Sequence, residues 1–360
     1  KRRPYPFLSF DFLDALECSG CAIAETGWLG QHLVLRSGDQ PVALMPCYLK
    51  NHSFGEYVFD HAWADAFERA GGDYYPKLQA AVPFTPVTSP RMLVSAEFDR
   101  PVAEKALASA AVQLADRLGA SSLHLTFLPE DEWTHLGECG LLQRTGKQFH
   151  WPNRGYEDFD EFLAALASRK RKAIRKERRR ALEDDINVEW ITGSDLTESH
   201  WDAFYDFYLD TGARKWGHPY LNREFFSLIS ERMAGELLLI MAKRNDRYVA
   251  GALNIIGADA LFGRYWGEIE HHEFLHFELC FYQAIDFAIA NGLSSVEAGA
   301  GGQHKLSRGY LPITTYSAHY VAHKGLRRAI SDYLDDERNW MALEQRELGE
   351  HAPYRHEDGS

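Results

Sequence analysis

Two stretches of this chain follow the same order of elements, and that repetition restricts the fold more than any single motif does. In the first half, His32–Lys50 reads as a hairpin, two apolar runs around Ser37-Gly38-Asp39. Those are residue types that supply turn conformations. Glu56–Asp60 reads as a short strand and Ala62–Val82 as a helical pattern interrupted at Gly71–Gly72. Val102–Leu118 has the periodicity of an amphipathic helix closed by Gly119, and Ser121–Leu128 alternates as a strand does. The second half holds a strand at Asn187–Ile191 and helices at Glu198–Leu209 and Arg223–Met233. Then come a hairpin, Glu236–Gly257, turning at Asn245-Asp246, a strand at Ala260–Trp266, a helix at Phe277–Ala290, and strands at Ser295–Ala298 and Thr314–Ala322. Hairpin, strand, helix, strand therefore occurs twice. The pattern predicts a duplicated α/β (α+β) unit with mostly antiparallel sheets flanked by helices. It sets domains at 1–152 and 153–325, and a C-terminal helix with a polar tail at 326–360.

The composition supports two cores. The chain has 360 residues, of which 45% are hydrophobic and 13% aromatic, too apolar for a disordered polymer. No apolar run approaches the roughly 18 residues of a membrane span. The opening KRRPYP lacks the apolar core of a signal peptide. Five cysteines, few and odd in number, suit a reducing compartment better than a disulfide framework. A cytoplasmic monomer or weak dimer is the expectation.

Charge is distributed unevenly. The chain carries 39 basic and 52 acidic side chains, yet nine of the bases lie in Ser168–Arg180. Phe159, Phe162, Leu163, Leu166, Ala173, Ile174 and Ala181 recur at helical spacing, which predicts one helix with an apolar stripe. Arg169, Lys172, Lys176 and Arg179 fall away from that stripe, and Arg175 lies beside them. A crowded cationic ridge on an acidic protein repels itself unless an anion binds there. An ordinary solvated helix would mix its signs, and this run holds a single acidic residue, Glu177. The ridge fits a nucleic-acid backbone, a nucleotide pyrophosphate or an anionic lipid surface.

A second run, Val296–Pro312, empties a strand into Gly299, Gly301 and Gly302, followed at once by His304, Lys305 and Arg308. Glycines let backbone amides approach a ligand, and adjacent cations suit a phosphate or a developing oxyanion. The run is neither a P-loop nor a dinucleotide fingerprint. The plain alternative is a flexible turn with incidental charge.

Three motifs carry a resemblance: Ser168–Arg179, Leu275–Ile289 and Val296–His319. Pro46–Asp60, with Cys47 where leucine is expected, and Tyr74–Arg91 extend it over nearly the whole chain. The sequence resembles the FemAB-like N-acyltransferases, tandem GNAT-fold relatives of the Fem enzymes that move amino acids from aminoacyl-tRNA onto peptidoglycan precursors. The resemblance implies two tandem GNAT-like domains and acyl transfer to an amine. It implies that Lys305 stands where relatives contact the donor or reaction centre, and that the basic helix stands where they engage a polyanion. The usual GNAT pyrophosphate loop, R/Q-x-x-G-x-G/A, is missing; Gly267–Glu278 stands there instead, which points away from acetyl-CoA.

The expected chemistry is attack of an amine on an activated acyl carbonyl. The Gly299–Gly302 amides and Lys305 are candidate oxyanion donors. His304, Glu278 and Glu297 are candidate bases. The expected partners are a phosphate-bearing donor, aminoacyl-tRNA or acyl-CoA, and an amine acceptor, with room for peripheral membrane contact and no cofactor or metal. An acyl-CoA enzyme is the alternative within transferases. A non-catalytic module that holds a polyanion or envelope precursor is the alternative from another class. His272-Glu273-Phe274-Leu275-His276 matches the HExxH zinc motif, but its start directly follows a strand rather than lying within a helix. Cys18 and Cys21 form a lone CxxC, more often incidental than metal-binding or redox-active. Arg214, Lys215 and His218 form a charged loop suited to ligand contact. Tyr265 and Trp266 suit a cleft wall or a core equally.

Overall fold

Asn245 and Asp246 adopt φ of 48° and 61°, the left-handed conformation that a tight hairpin turn demands. They fix the second hairpin, with Arg244 opposite Arg247. The structure, a computed structural model, describes residues 2–215 and 219–355, with the helical backbone alone for 213–215. From the start, the elements are α1 (Phe10–Cys18), β1 (Trp28–Gly30), β2 (Leu33–Ser37), β3 (Gln40–Met45), β4 (Tyr48–Lys50), α2 (His61–Arg69), β5 (Lys77–Ala80), β6 (Leu93–Val94), α3 (Arg100–Leu118), β7 (Ser122–Leu128), α4 (Glu130–Glu138) and β8 (Leu142–Pro152). Then follow α5 (Phe159–Ala165), α6 (Ser168–Ala181), β9 (Ile186–Thr192), α7 (Glu198–Lys215), α8 (Arg223–Met233), β10 (Leu237–Arg244), β11 (Arg247–Ile256) and β12 (Ala260–Glu268). A short α9 (Leu275–Phe277) runs through a π turn (Glu278–Tyr282) into α10 (Gln283–Ala290). The chain closes with β13 (Ser295–Glu297), a 3-10 turn (Gln303–Arg308), β14 (Leu311–Val321) and α11 (Lys324–Glu350).

Two compact units result, and neither is a continuous piece of sequence. One comprises residues 20–147 and 314–345; the other comprises 1–19, 148–313 and 346–360. The first orders its strands β1-β4-β5-β7-β14, with β5 and β7 parallel and the other pairs antiparallel, beside a small β2-β3-β6 sheet. The second orders them β9-β10-β11-β12-β13-β8, with β12 and β13 parallel and the other pairs antiparallel. Each unit thus has a parallel seam between antiparallel strands. The strand beyond each seam comes from the other half of the sequence, β14 in one unit and β8 in the other. These units divide the chain at other places than the expected 152 and 325. Hydrogen bonding of β14 to β7, not sequence proximity, decides membership.

The cores follow the strand periodicity. Leu78, Leu107, Leu123, Leu125 and Ala318 fill one unit. Trp151, Phe162, Leu238, Ile240, Tyr282, Val296 and Tyr310 fill the other. Two sequence expectations change. Glu56–Asp60 is a loop rather than a strand: Lys77 Nζ donates to Glu56 at 2.7 Å and to Asp60 at 2.5 Å, all three buried. The helix expected over 62–82 ends at Arg69, and Lys77–Ala80 is the buried strand β5. The basic segment also separates from its apolar lead. Asp158 caps α5, accepting from the Glu161 amide at 2.8 Å, and Leu166 turns extended before α6 begins.

Candidate active site

The outer face of α6 is the cationic ridge that its spacing predicts. Arg169, Lys172, Arg175, Lys176 and Arg179 are exposed, and Ile174 and Ala181 are buried. Arg175 pairs with Asp160 at 2.7 Å, and Arg180 pairs with Glu273. Arg169, Lys172, Lys176 and Arg179 meet no carboxylate among the described residues. Arg178 points the other way. Its guanidinium donates to both oxygens of Glu278 and, at 2.6 Å, to Asp286. Glu278 is fully buried. Burial raises its pKa above the ordinary carboxylate range, and Arg178 opposes that rise. Of the candidate bases, Glu278 is therefore committed to an internal ion pair on the π turn.

The inner edge of α6 meets the turn after the glycine run. Arg308 Nη2 donates to Glu177 at 3.0 Å, Nη1 donates to the His304 carbonyl at 2.8 Å, and the guanidinium stacks 3.5 Å from the Phe277 ring centre. Tyr282 also donates to Glu177. The one acidic residue of the basic run is thus the clamp that fixes Arg308. Beside it lies a pocket of about 380 Å³, lined by Arg169, Lys170, Ala173, Ile174, Glu177, Ser307 and Arg308. Three cations, one carboxylate and a hydroxyl surround this volume, a lining whose net positive charge suits an anion. Two motifs more than a hundred residues apart in sequence therefore form one site.

Gly299, Gly301 and Gly302 adopt φ of 70°, 73° and 87°, so the loop bends through conformations that other residues resist. Gly309, at φ 90°, also has no room for a Cβ, which would lie 2.8 Å from the Phe162 ring. The bend folds Lys305 back onto its own loop. Its Nζ donates to the carbonyls of Ala298 at 2.8 Å, Gly299 at 2.9 Å and Ala300 at 3.4 Å. Burial lowers the Lys305 ammonium to about 8. Lys305 therefore holds the glycine loop together in this conformation. His304 is exposed, its ring near those of Phe277 and Phe281.

The loop leaves the parallel seam where that seam opens. β12 and β13 pair only from Ala260–Phe262 to Ser295–Glu297, and β12 continues to Glu268 without β13. Two parallel strands that part in this way leave a fork lined by backbone groups. Arg264, Tyr265 and Trp266 lie along the part of β12 that runs beyond β13 and pairs only with β11, each half-buried. The Tyr265 ring packs 5.2 Å from Tyr208 and Trp266 packs 5.1 Å from His276. At the mouth of the fork, Glu297 on β13 faces His150 on β8, with 3.6 Å between Oε1 and Nδ1. His150 carries no sequence motif; only the pairing of β8 with β13 brings it here.

The competing motifs lack the necessary geometry. Phe274 sits at φ 67°, so His272 and His276 do not share a helical face, and His272 instead lies 3.5 Å from Glu270. No cluster of three metal-ligating side chains occurs among the described residues. Cys18 is exposed and Cys21 buried, and neither forms a disulfide among the described residues. Arg214 and Lys215 lie on the end of α7, where only backbone is described, and His218 lies outside the described residues.

A parallel seam between antiparallel strands, present in each of two units, is the arrangement of a tandem GNAT-like protein. The chain belongs to the FemAB-like family, described as peptidoglycan biosynthesis/recognition, whose model matches residues 1–356. No curated protein sequence matches it. Among solved structures, FemX is similar with a TM-score of 0.54 and 13% identity, over 89% of this chain and 93% of that one. The C-terminal domain of a putative lysylphosphatidylglycerol synthetase from Agrobacterium fabrum gives a TM-score of 0.53 at 12% identity, over 84% and 87%. L-PGS from Bacillus licheniformis gives 0.53 at 10%, over 97% and 98%. At these identities the likeness concerns the fold. Among the described residues, no helix is long and apolar enough to cross a membrane.

Proposed function

We propose that the protein is an N-acyltransferase that moves an aminoacyl group from a tRNA-borne ester to an amine of a cell-envelope precursor. The observation that carries this reading is the convergence of the basic helix and the turn after the glycine loop on one cationic pocket. Membership of a peptidoglycan family and likeness to structures named FemX and lysylphosphatidylglycerol synthetase support it. In this reading, Arg169, Lys172, Arg175, Lys176 and Arg179 run along the donor's phosphate backbone. Arg308, held by Glu177 and Phe277, takes the phosphate nearest the reacting end. The fork admits the acyl carbonyl, with Tyr265 and Trp266 along one wall and the Gly299–Gly302 segment along the other. Lys305 serves the oxyanion when the loop opens around the donor and its ammonium exchanges a carbonyl for the substrate oxygen. His304 is exposed at the rim.

A donor screen tests the reading. Purified protein is offered charged tRNAs and acyl-CoAs with amine-bearing peptidoglycan precursors, and products are followed by mass spectrometry. Transfer from aminoacyl-tRNA is the expected result, and transfer from acyl-CoA alone replaces the donor. The saturation of Lys305 by three carbonyls favours a second reading, a binding module whose loop is a fixed strut. Salt-sensitive polyanion binding with no transfer from any donor selects that second reading.

A further inference from the structure

Four ionisable side chains from separate elements converge where the seam forks. Glu297 ends β13, His150 lies opposite it on β8, Arg264 lies on β12, and Lys305 lies on the turn after the glycine loop. The Gln148 side-chain oxygen lies 3.2 Å from His150 Nε2. That contact assigns the hydrogen to Nε2 and leaves Nδ1 as an acceptor facing Glu297. On the other side, Glu297 Oε2 is buried and has no hydrogen-bond partner among the described residues. A carboxylate oxygen in that position is costly, whereas a protonated carboxyl is tolerated. The electrostatics agree with the geometry. Burial pushes Glu297 up to about 8 despite Arg264, while burial and the Lys305 charge bring His150 down to about 4. At neutral pH the pair is a carboxylic acid beside a neutral imidazole. Environments that push two groups apart in this way prepare one as acid and the other as base.

We propose that Glu297 and His150 form the proton-transfer pair of the reaction, His150 taking the proton of the attacking amine and Glu297 protonating the departing oxygen. The inference rests on the acyl-transfer reading. The amine nitrogen bonds to the acyl carbon and the ester C–O bond breaks. One proton leaves the amine for His150 Nδ1, and one leaves the Glu297 carboxyl for the ribose oxygen. The imidazolium then returns its proton across the 3.6 Å gap to the Glu297 carboxylate, and both groups are restored. The step consumes only donor and amine.

The test compares the full chain with Glu297→Gln, Glu297→Asp and His150→Gln, using aminoacyl-tRNA and an amine acceptor. Turnover and KM are followed from about pH 5 to 9, the range in which such groups titrate. Turnover of the parent is expected to decline above about pH 8 as Glu297 loses its proton. Glu297→Gln should lose that alkaline decline and fall on the order of a hundredfold in kcat, with donor KM little changed. Glu297→Asp should recover part of the rate, and His150→Gln should lose rate to a similar extent. Polyanion affinity equal to the parent's certifies that each variant is folded. Variants that keep the parent's kcat and pH profile overturn the pair alone. A parent protein that transfers from no donor overturns the acyl-transfer reading and this pair with it.

Discussion

Lys305 holds three backbone carbonyls of its own loop, and that alters what its removal does. A lysine that merely faced a ligand could be truncated without cost to the fold. Here Lys305→Ala leaves those carbonyls without their donor; Ala298 and Gly299 are half-buried and Ala300 is exposed, so water offsets part of the roughly 1–3 kcal/mol that a buried stranded acceptor costs. The expected outcome is a lower melting temperature together with a loss of turnover on the order of a hundredfold, as for other oxyanion donors. Unchanged calorimetry would mean that the loop finds other donors. Glu297 makes the opposite prediction for stability. Its carboxyl holds a proton up to about 8 in the folded chain, against 4.5 for an ordinary glutamate. Between those values the folded state binds more protons than the unfolded one, so stability falls as pH rises. Glu297→Gln removes that slope. Its urea midpoint should exceed the parent's at pH 8 and match it near pH 4.5. Equal midpoints at both values would place Glu297 in ordinary solvent.

At the scale of the element, α6 divides its charge between two tasks. Reversal of Arg169, Lys172, Lys176 and Arg179 to Glu should abolish polyanion binding and leave the melting temperature near the parent's, because all four are exposed. The parent's affinity should fall as salt rises, the signature of phosphate contacts, and a flat salt dependence would remove the ridge from the mechanism. Arg178→Ala, on the same helix, should do the reverse. It strands Glu278, which is fully buried, and Asp286 without their counter-charge, a loss of about 3–5 kcal/mol. The ridge was legible because exposed charge needs only helical spacing. Arg178 was not, since its partners Glu278 and Asp286 lie on elements a hundred residues away. The same limit explains Glu56–Asp60. The segment reads as a short strand, but the buried carboxylates are drawn to Lys77, and that ion pair decides the backbone. The glycine loop was legible as a bend and not as a cage, because nothing in its composition says that Lys305 turns inward. His150 was invisible, since its meaning arises entirely from register.

At the scale of the whole molecule, order along the chain and membership of a unit differ, and this has a consequence for fragments. The unit containing residues 20–147 also needs residues 314–345. β7 is buried along its whole length and pairs with β14 on one side. Removal of β14 exposes a long apolar edge, which invites aggregation. Removal of α11 withdraws Ile330 and Leu334 from Trp63 and Tyr74, with which they form a small core. A fragment of residues 1–152 should therefore lack cooperative unfolding and precipitate readily. A fragment that joins residues 20–147 to 314–345 through a short glycine linker should fold. The cut ends favour it, since a Cβ on Gly146 would sit 2.9 Å from Thr315 Oγ1, and Gln345 Nε2 donates to the Gly146 carbonyl at 3.1 Å. Near-ultraviolet circular dichroism and urea titration distinguish the two. A sharp, native-like transition in the 1–152 fragment would show that β14 and α11 are dispensable, and the unit would then have to be redrawn along the sequence.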